Sequence, residues 1–325
     1  MSDFRGDRVK EMDRRDLLSV SVSVAAGAVA LSAPAQPRAA TPTSGKGSRS
    51  QLKSASFIET RDGTALFYRD WGVGNGVVFA SAWALGCDWW EYQMVALANQ
   101  GMRCVAYDRR GQDRSEQSHQ GYDFDTLADD LDSILDTLDL HNITLVAHSM
   151  GGGEAVRYLS RHGPSRVGRL VLVASITPSV LKSPDNPGGF DPAFLAKVRA
   201  ALCQDRPGII ASAAPGFFGV PGNAVSAEMM QWWAQQLLRC PLNSMLELHH
   251  AFTEADFGAD VRKITVPTLI IHGDNDASAP IDVTARRAAA MIAGSRLEIY
   301  EGAAHGLPIT HMERLNRDLL AFVRA

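Results

Sequence analysis

A serine among small residues, a loop with two aspartates and a late histidine share one chemistry: activated attack on a carbonyl carbon. At neutral pH a serine hydroxyl is a poor nucleophile. It needs a base to take its proton and an acid to orient that base. Ser149 stands in Ile143-Thr144-Leu145-Val146-Ala147-His148-Ser149-Met150-Gly151-Gly152-Gly153-Glu154-Ala155-Val156. An apolar, β-branched run leads into it, and a helical pattern (Ala155, Val156, Leu159) leaves it. A small-x-Ser-x-small match acquires meaning between a strand and a helix, because the turn is too tight for bulk two residues to either side. Ala147 and Gly151 meet that demand.

In such an elbow the order along the chain is serine, acid, histidine. The acid is expected in Gly273-Asp274-Asn275-Asp276-Ala277-Ser278-Ala279-Pro280, just after the run ending Ile270-Ile271-His272. The base is expected in Glu301-Gly302-Ala303-Ala304-His305-Gly306, since His305 alone of nine histidines follows the last strand pattern in a small-residue loop. Asp276, deeper in its loop, is assigned as the acid and Asp274 as a loop cap. His148 is expected to point away from the nucleophile, and His272, at a strand end, reads as structural. His249 and His250 lie in the cap and could touch substrate, although a surface role is the favoured expectation. A tetrahedral oxyanion needs donors. These are expected to be the backbone N–H groups of Met150 and of Trp83, the latter in Ser81-Ala82-Trp83-Ala84-Leu85.

The elements that must position these residues alternate. Strands are expected at Ser56–Thr60, Ala65–Trp71, Val77–Ala80, Arg103–Tyr107, Ile143–Ala147, Leu170–Ala174, Thr268–His272 and Leu297–Tyr300. Asp62-Gly63 forms a hairpin signal between the first two. Helices are expected at Asp88–Asn99, Thr126–Leu138, Gly152–Arg161, Asp282–Ala293 and His311–Val323. This is an α/β pattern: an eight-stranded, mostly parallel sheet with helices on both faces. Between Ser175 and Val266 the alternation stops, and a helical cap (about 176–262) is expected over the carboxyl edge of the sheet, where α/β ligand sites lie. Phe217, Phe218, Met229, Met230, Trp232 and Trp233 would form its underside. Of these, Phe217, Phe218, Trp232 and Trp233 join Trp83 as candidate pocket residues.

Composition sets the limits. The chain has 325 residues, 46% hydrophobic and 21% charged, enough for a substantial core, and a net charge of −4 gives no electrostatic case for nucleic acid or anionic membrane. Residues 1–40 read as a twin-arginine-type leader: Arg14-Arg15, a mild apolar run from Leu17 to Ala33, and an A-x-A-like site at Ala33-Pro34-Ala35. Residues 41–54 read as a flexible linker and 55–325 as the folded domain, with export to the periplasm or medium. Cys104 is expected to be a buried free thiol, and Cys203 and Cys240 are close enough in sequence to be considered for pairing. No Cys/His spacing resembles a zinc site.

From Phe57 onward the chain resembles the α/β-hydrolase superfamily, in particular its cofactor-free bacterial haloperoxidase and arylesterase branch. The resemblance is carried by Ala106-Tyr107-Asp108-Arg109-Arg110-Gly111-Gln112-Asp113-Arg114-Ser115, Tyr122 to Leu131, His148 to Gly153, Arg157-Tyr158 and Arg161-His162-Gly163. It implies a Ser149–Asp276–His305 triad, hydrolysis of a small ester substrate and no metal or haem cofactor. In some relatives it also implies peroxide-dependent acyl chemistry. Other uses of the fold, such as C–C or epoxide hydrolysis, or binding without catalysis, are the alternatives. The chain departs from the family at Ser81-Ala82, where His-Gly is usual, at Ala84, where Pro is frequent, and at Ala147, where Gly is usual.

Overall fold

The computed structural model describes residues 56–325; the expected leader and linker lie outside the described residues. The strands are β1 (Phe57–Glu59), β2 (Ala65–Trp71), β3 (Asn75–Ala80), β4 (Met102–Tyr107), β5 (Ile143–His148), β6 (Val167–Val173), β7 (Thr268–Gly273) and β8 (Arg296–Tyr300). They form one sheet in the order β1-β2-β4-β3-β5-β6-β7-β8. β2 pairs antiparallel with β1 and with β4, and every later pair is parallel. The sheet and its two layers of helices are those of the α/β-hydrolase fold.

The central strands show why continuous apolar runs were needed. Successive side chains leave a strand on opposite faces. Val78, Leu145, Leu172 and Ile270 enter the core on one face, while Val77, Val146, Val171 and Ile271 enter the core on the other. The first face is covered by α2 (Phe124–Thr137), α3 (Met150–His162) and α8 (Ala285–Met291). The second is covered by α1 (Glu91–Ala98) and α10 (Met312–Arg324), whose Leu315, Leu319 and Val323 form one buried stripe.

Between β6 and β7 the chain is helical: α4 (Pro192–Phe218), α5 (Ala227–Arg239), α6 (Leu242–Glu254) and α7 (Gly258–Val261). α4 is kinked at Asp205, whose backbone (φ −149°, ψ 73°) is not helical. Pro207 prevents a continuous helix here, since it has no N–H to donate to Cys203 O and its ring would clash with that carbonyl. Asp205 then caps the second half by accepting from the Gly208 N–H at 2.9 Å.

Two helix expectations change in detail. The segment from Asp88 opens as a short 3-10 turn, Cys87–Trp90, before α1. The one expected from Asp282 shortens to α8, because the Thr284 hydroxyl donates to the Ala279 and Pro280 carbonyls and holds a turn there. The last, expected at His311–Val323, is α10 to within one residue at each end, and an additional short helix, α9 (Leu307–Thr310), precedes it across His311 (φ −122°). All four cysteines are unpaired, so Cys203, which is exposed, and Cys240, which is buried, do not form a bridge. No helix among the described residues is long and apolar enough to cross a membrane.

Candidate active site

Ser149 lies between β5 and α3 with φ 55° and ψ −117°, left-handed backbone that favours glycine. Holding a non-glycine residue there costs on the order of 1–3 kcal/mol, which the surroundings must over-determine. They do so with hydrogen bonds. The Ser149 N–H donates to Val173 O at 3.0 Å, and Ser149 O accepts from the Gly152 N–H at 2.9 Å. The elbow also presses on β3: a Cβ on Gly151 would come within 2.6 Å of Ala80 O.

The structure brings together the three residues assigned from chain order. Ser149 Oγ–H donates to His305 Nε2 at 2.8 Å, and His305 Nδ1–H donates to Asp276 Oδ2 at 2.7 Å. Asp276 is fixed from its other side, where Oδ1 accepts from the Ser278 and Ala279 N–H groups, each at 2.8 Å. Burial opposes the charge of its carboxyl, yet the adjacent His305 and the donors of His272 and His305 hold it well below the usual carboxylate range. Asp274 does not reach His305. It accepts from the Gly302 N–H at 2.7 Å and ties the β7 loop to the β8 loop.

Two further histidines brace this chain of bonds. Trp89 Nε1–H can only donate, so His148 Nδ1, at 3.1 Å, must accept. His148 Nε2–H is then free to donate to the backbone oxygen of His305 at 3.1 Å. Burial and the neighbouring His305 push the His148 imidazole well below its usual range, which keeps it in that neutral form. His272 Nε2–H donates to Ala279 O at 2.7 Å and lies 3.3 Å from Asp276 Oδ2. Among the described residues no group of three or more His, Cys, Asp or Glu is arranged to hold a metal ion.

The loop after β3 is held by an ion pair. The buried Arg109 guanidinium donates to Glu154 of α3 at 2.7 Å and to Ser81 O at 2.8 Å, and it reaches Ala82 O at 3.5 Å. Glu154 also accepts from the Tyr107 hydroxyl. Across a trans peptide the N–H points opposite to the C=O. Turning Ala82 O toward Arg109 therefore turns the Trp83 N–H away from it. Neither the Trp83 nor the Met150 N–H donates to an acceptor among the described residues. Positive φ in this loop falls at Ala84 (58°) and not at Ala82. Glycine is therefore not required at 82, and proline, locked near φ −65°, does not fit the backbone at 84.

Above Ser149 and His305 lies a cavity of about 350 Å³ between the sheet edge and the cap helices. Trp83, Phe217 and Trp233 border it, as expected from the sequence. Phe218 and Trp232 do not. Phe218 is fully buried against Phe217 and Trp233, and Trp232 stacks on Trp89 with its edge toward Tyr92. The kinked α4 contributes Leu195, Val198, Leu202 and Ile210 to the wall. His249 also borders the cavity, the less favoured of the two placements expected for it. The signal for it was present, because Met245, His249 and Phe252 repeat at helical spacing on one stripe of α6.

The chain belongs to the α/β hydrolase fold family, whose model matches residues 75–311. Within that family it is 41% identical over 268 residues to a non-heme chloroperoxidase from Kitasatospora aureofaciens, covering 81% of this chain and 98% of that one. It is 34% identical over 279 residues to a bifunctional esterase/perhydrolase from Acinetobacter calcoaceticus, with 83% and 99% covered. Among solved structures it is similar to an esterase from Exiguobacterium antarcticum, with a TM-score of 0.81 and 31% identity over 83% of this chain and 100% of that one.

Proposed function

We propose that this protein hydrolyses small, largely apolar carboxylic esters or lactones through an acyl-enzyme on Ser149. The observation that carries the reading is the unbroken chain Ser149 Oγ–His305 Nε2 (2.8 Å), His305 Nδ1–Asp276 Oδ2 (2.7 Å) at the floor of an apolar cavity. His305 takes the serine proton as Oγ attacks the carbonyl carbon, and Asp276 stabilises the resulting imidazolium. The Trp83 and Met150 N–H groups donate to the oxyanion. His305 gives its proton to the departing alkoxide, then takes one from water as that water attacks the acyl-enzyme. The acid leaves and the Ser149 hydroxyl is restored. The names of the haloperoxidase and perhydrolase relatives support a second reading, in which hydrogen peroxide replaces that water and the acyl group departs as a peracid. The leader features of residues 1–40 support action outside the cytoplasm.

A series of p-nitrophenyl esters of increasing acyl length, assayed with and without peroxide, tests both readings. Turnover without peroxide, abolished along with fluorophosphonate labelling in Ser149→Ala, is the expected result. Labelling that persists in Ser149→Ala would overturn the assignment of the nucleophile. Peracid formation outpacing hydrolysis at millimolar peroxide would favour the second reading.

A further inference from the structure

One polar side chain on the cavity wall has no part in that chemistry. Ser149 and His305 belong to the acyl-transfer chain, and Ser278 is exposed. Thr253 Oγ1 is occupied, donating to His249 O at 2.7 Å and accepting from Arg199 Nη1 at 3.2 Å. His249 remains. It is only 5% exposed, and its Nδ1 is covered and without a hydrogen-bond partner among the described residues. Its neighbour His250 avoids that fate by facing outward and pairing with Glu254 at 2.8 Å.

The imidazole is held in place. Its ring meets Trp83 edge-on at 5.4 Å and Phe252 at 5.0 Å. Trp83 is itself anchored to α6, because its indole N–H donates to Met245 O at 2.9 Å, one turn before His249. A leucine could fill this place without penalty, whereas a buried polar nitrogen left unpaired costs about 1–3 kcal/mol. Nδ1 is closed off even from the cavity, whereas Nε2, also without a hydrogen-bond partner among the described residues, is the nitrogen that a group bound in the cavity can meet.

The surroundings narrow the chemistry of that group. Burial, with the charges of Arg199 and His250 adding to it, pushes the His249 pKa down to about 4, so the ring is neutral at pH 7. It offers one N–H donor and one lone pair. A carboxylate would need a free cation here, but Arg199 is engaged by Thr253 and by Glu254 at 3.4 Å. A ketone or hydroxyl oxygen matches a neutral imidazole without burying charge.

We propose that the substrate carries a neutral oxygen group, a ketone or hydroxyl, remote from the scissile carbonyl, and that His249 hydrogen-bonds it at the cap end of the cavity. This rests on the ester-hydrolase reading. A site built to hydrogen-bond a substrate group rejects the analogue lacking it more strongly than an apolar pocket rejects a missing methylene.

The test compares p-nitrophenyl hexanoate with its 4-oxo and 5-oxo analogues, and 4-ethylphenyl acetate with 4-acetylphenyl acetate, each rate divided by that of alkaline hydrolysis. The two series read the acyl and the alcohol side. In the unaltered protein kcat/KM should favour at least one oxygenated ester by about tenfold or more. His249→Phe should bring that ratio to about one, the readout being the ratio of the paired esters and not either rate alone. His249→Gln, which keeps a hydrogen-bonding group, should retain part of the preference. No preference in either series, or a preference that survives His249→Phe, overturns the proposal. If the unaltered protein hydrolyses none of these esters, the ester-hydrolase reading itself falls.

Discussion

His305 hydrogen-bonds at both ring nitrogens, to Ser149 and to Asp276, so each member of the chain is useful only while the others are present. That arrangement predicts non-additive losses. Ser149→Ala and His305→Ala should each reduce ester turnover by about 10⁴–10⁶, and the double variant by little more. Near-normal activity in His305→Ala would remove the histidine from the mechanism. The two loop acids separate in the same way. Asp276→Asn should cost roughly 10⁴ in kcat, because an amide no longer fixes the tautomer or balances the imidazolium. Asp274→Asn should cost little beyond the Gly302 contact that it weakens. The reverse ranking would transfer the role to Asp274. These three residues were legible in the sequence because the chemistry restricts both residue type and chain order. For His249 the sequence left two placements open, since a histidine on a helix stripe looks the same whether the stripe faces a cavity or solvent.

At the scale of elements, the loop after β3 and the start of α3 each present a free N–H, and Arg109–Glu154 ties the two segments together. Glu154→Gln leaves Arg109 buried without its counter-charge. Breaking one partner of such a pair costs about 3–5 kcal/mol, so the melting temperature and kcat should both fall, with KM for a small ester little changed. An unchanged kcat in folded Glu154→Gln would show that the loop holds its shape without the pair. The backbone angles make a sharper distinction within the loop. Ala82→Gly should change kcat by less than about tenfold, since φ at 82 is already one that alanine accepts. Ala84→Pro should lower both stability and kcat, because proline cannot reach φ 58°. The strands were readable from apolar runs, which only a doubly covered sheet requires, whereas the place of β4 outside β3 was not. The kink at Asp205 was not, because a single proline decides it within an otherwise helical pattern.

For the molecule as a whole, the proposed twin-arginine-type leader predicts that Arg14→Lys with Arg15→Lys retains active enzyme in the cytosol, and that mature protein, once exported, begins between about residues 36 and 41. Full-length active protein confined to the cytosol of its native host would exclude export. Stability should also carry a signature of the buried histidines. His148 and His249 are both held neutral by burial, His249 with a pKa of about 4 against a usual 6.5. Below pH 6.5 the unfolded chain therefore binds protons that the folded chain refuses, and stability falls as pH falls toward 4. For His249 alone the full shift is on the order of 3 kcal/mol. Asp130 works the other way over nearly the same window. Burial raises its carboxyl to about 6 in spite of Arg110, so the folded chain takes up that proton first and gains stability between pH 6 and 4. Asp276, held below the usual range, contributes its loss only at lower pH. Three histidines depressed by burial (His148, His249 and His311) against two carboxyls raised by it (Asp113 and Asp130) leave a net decline. Melting temperatures should therefore drop between pH 7 and 4.5, and His249→Phe should flatten that drop relative to the unaltered protein. Parallel profiles for the two proteins would mean that His249 is protonated as readily in the folded chain as in the unfolded one, which a ring enclosed by Trp83 and Phe252 should not allow.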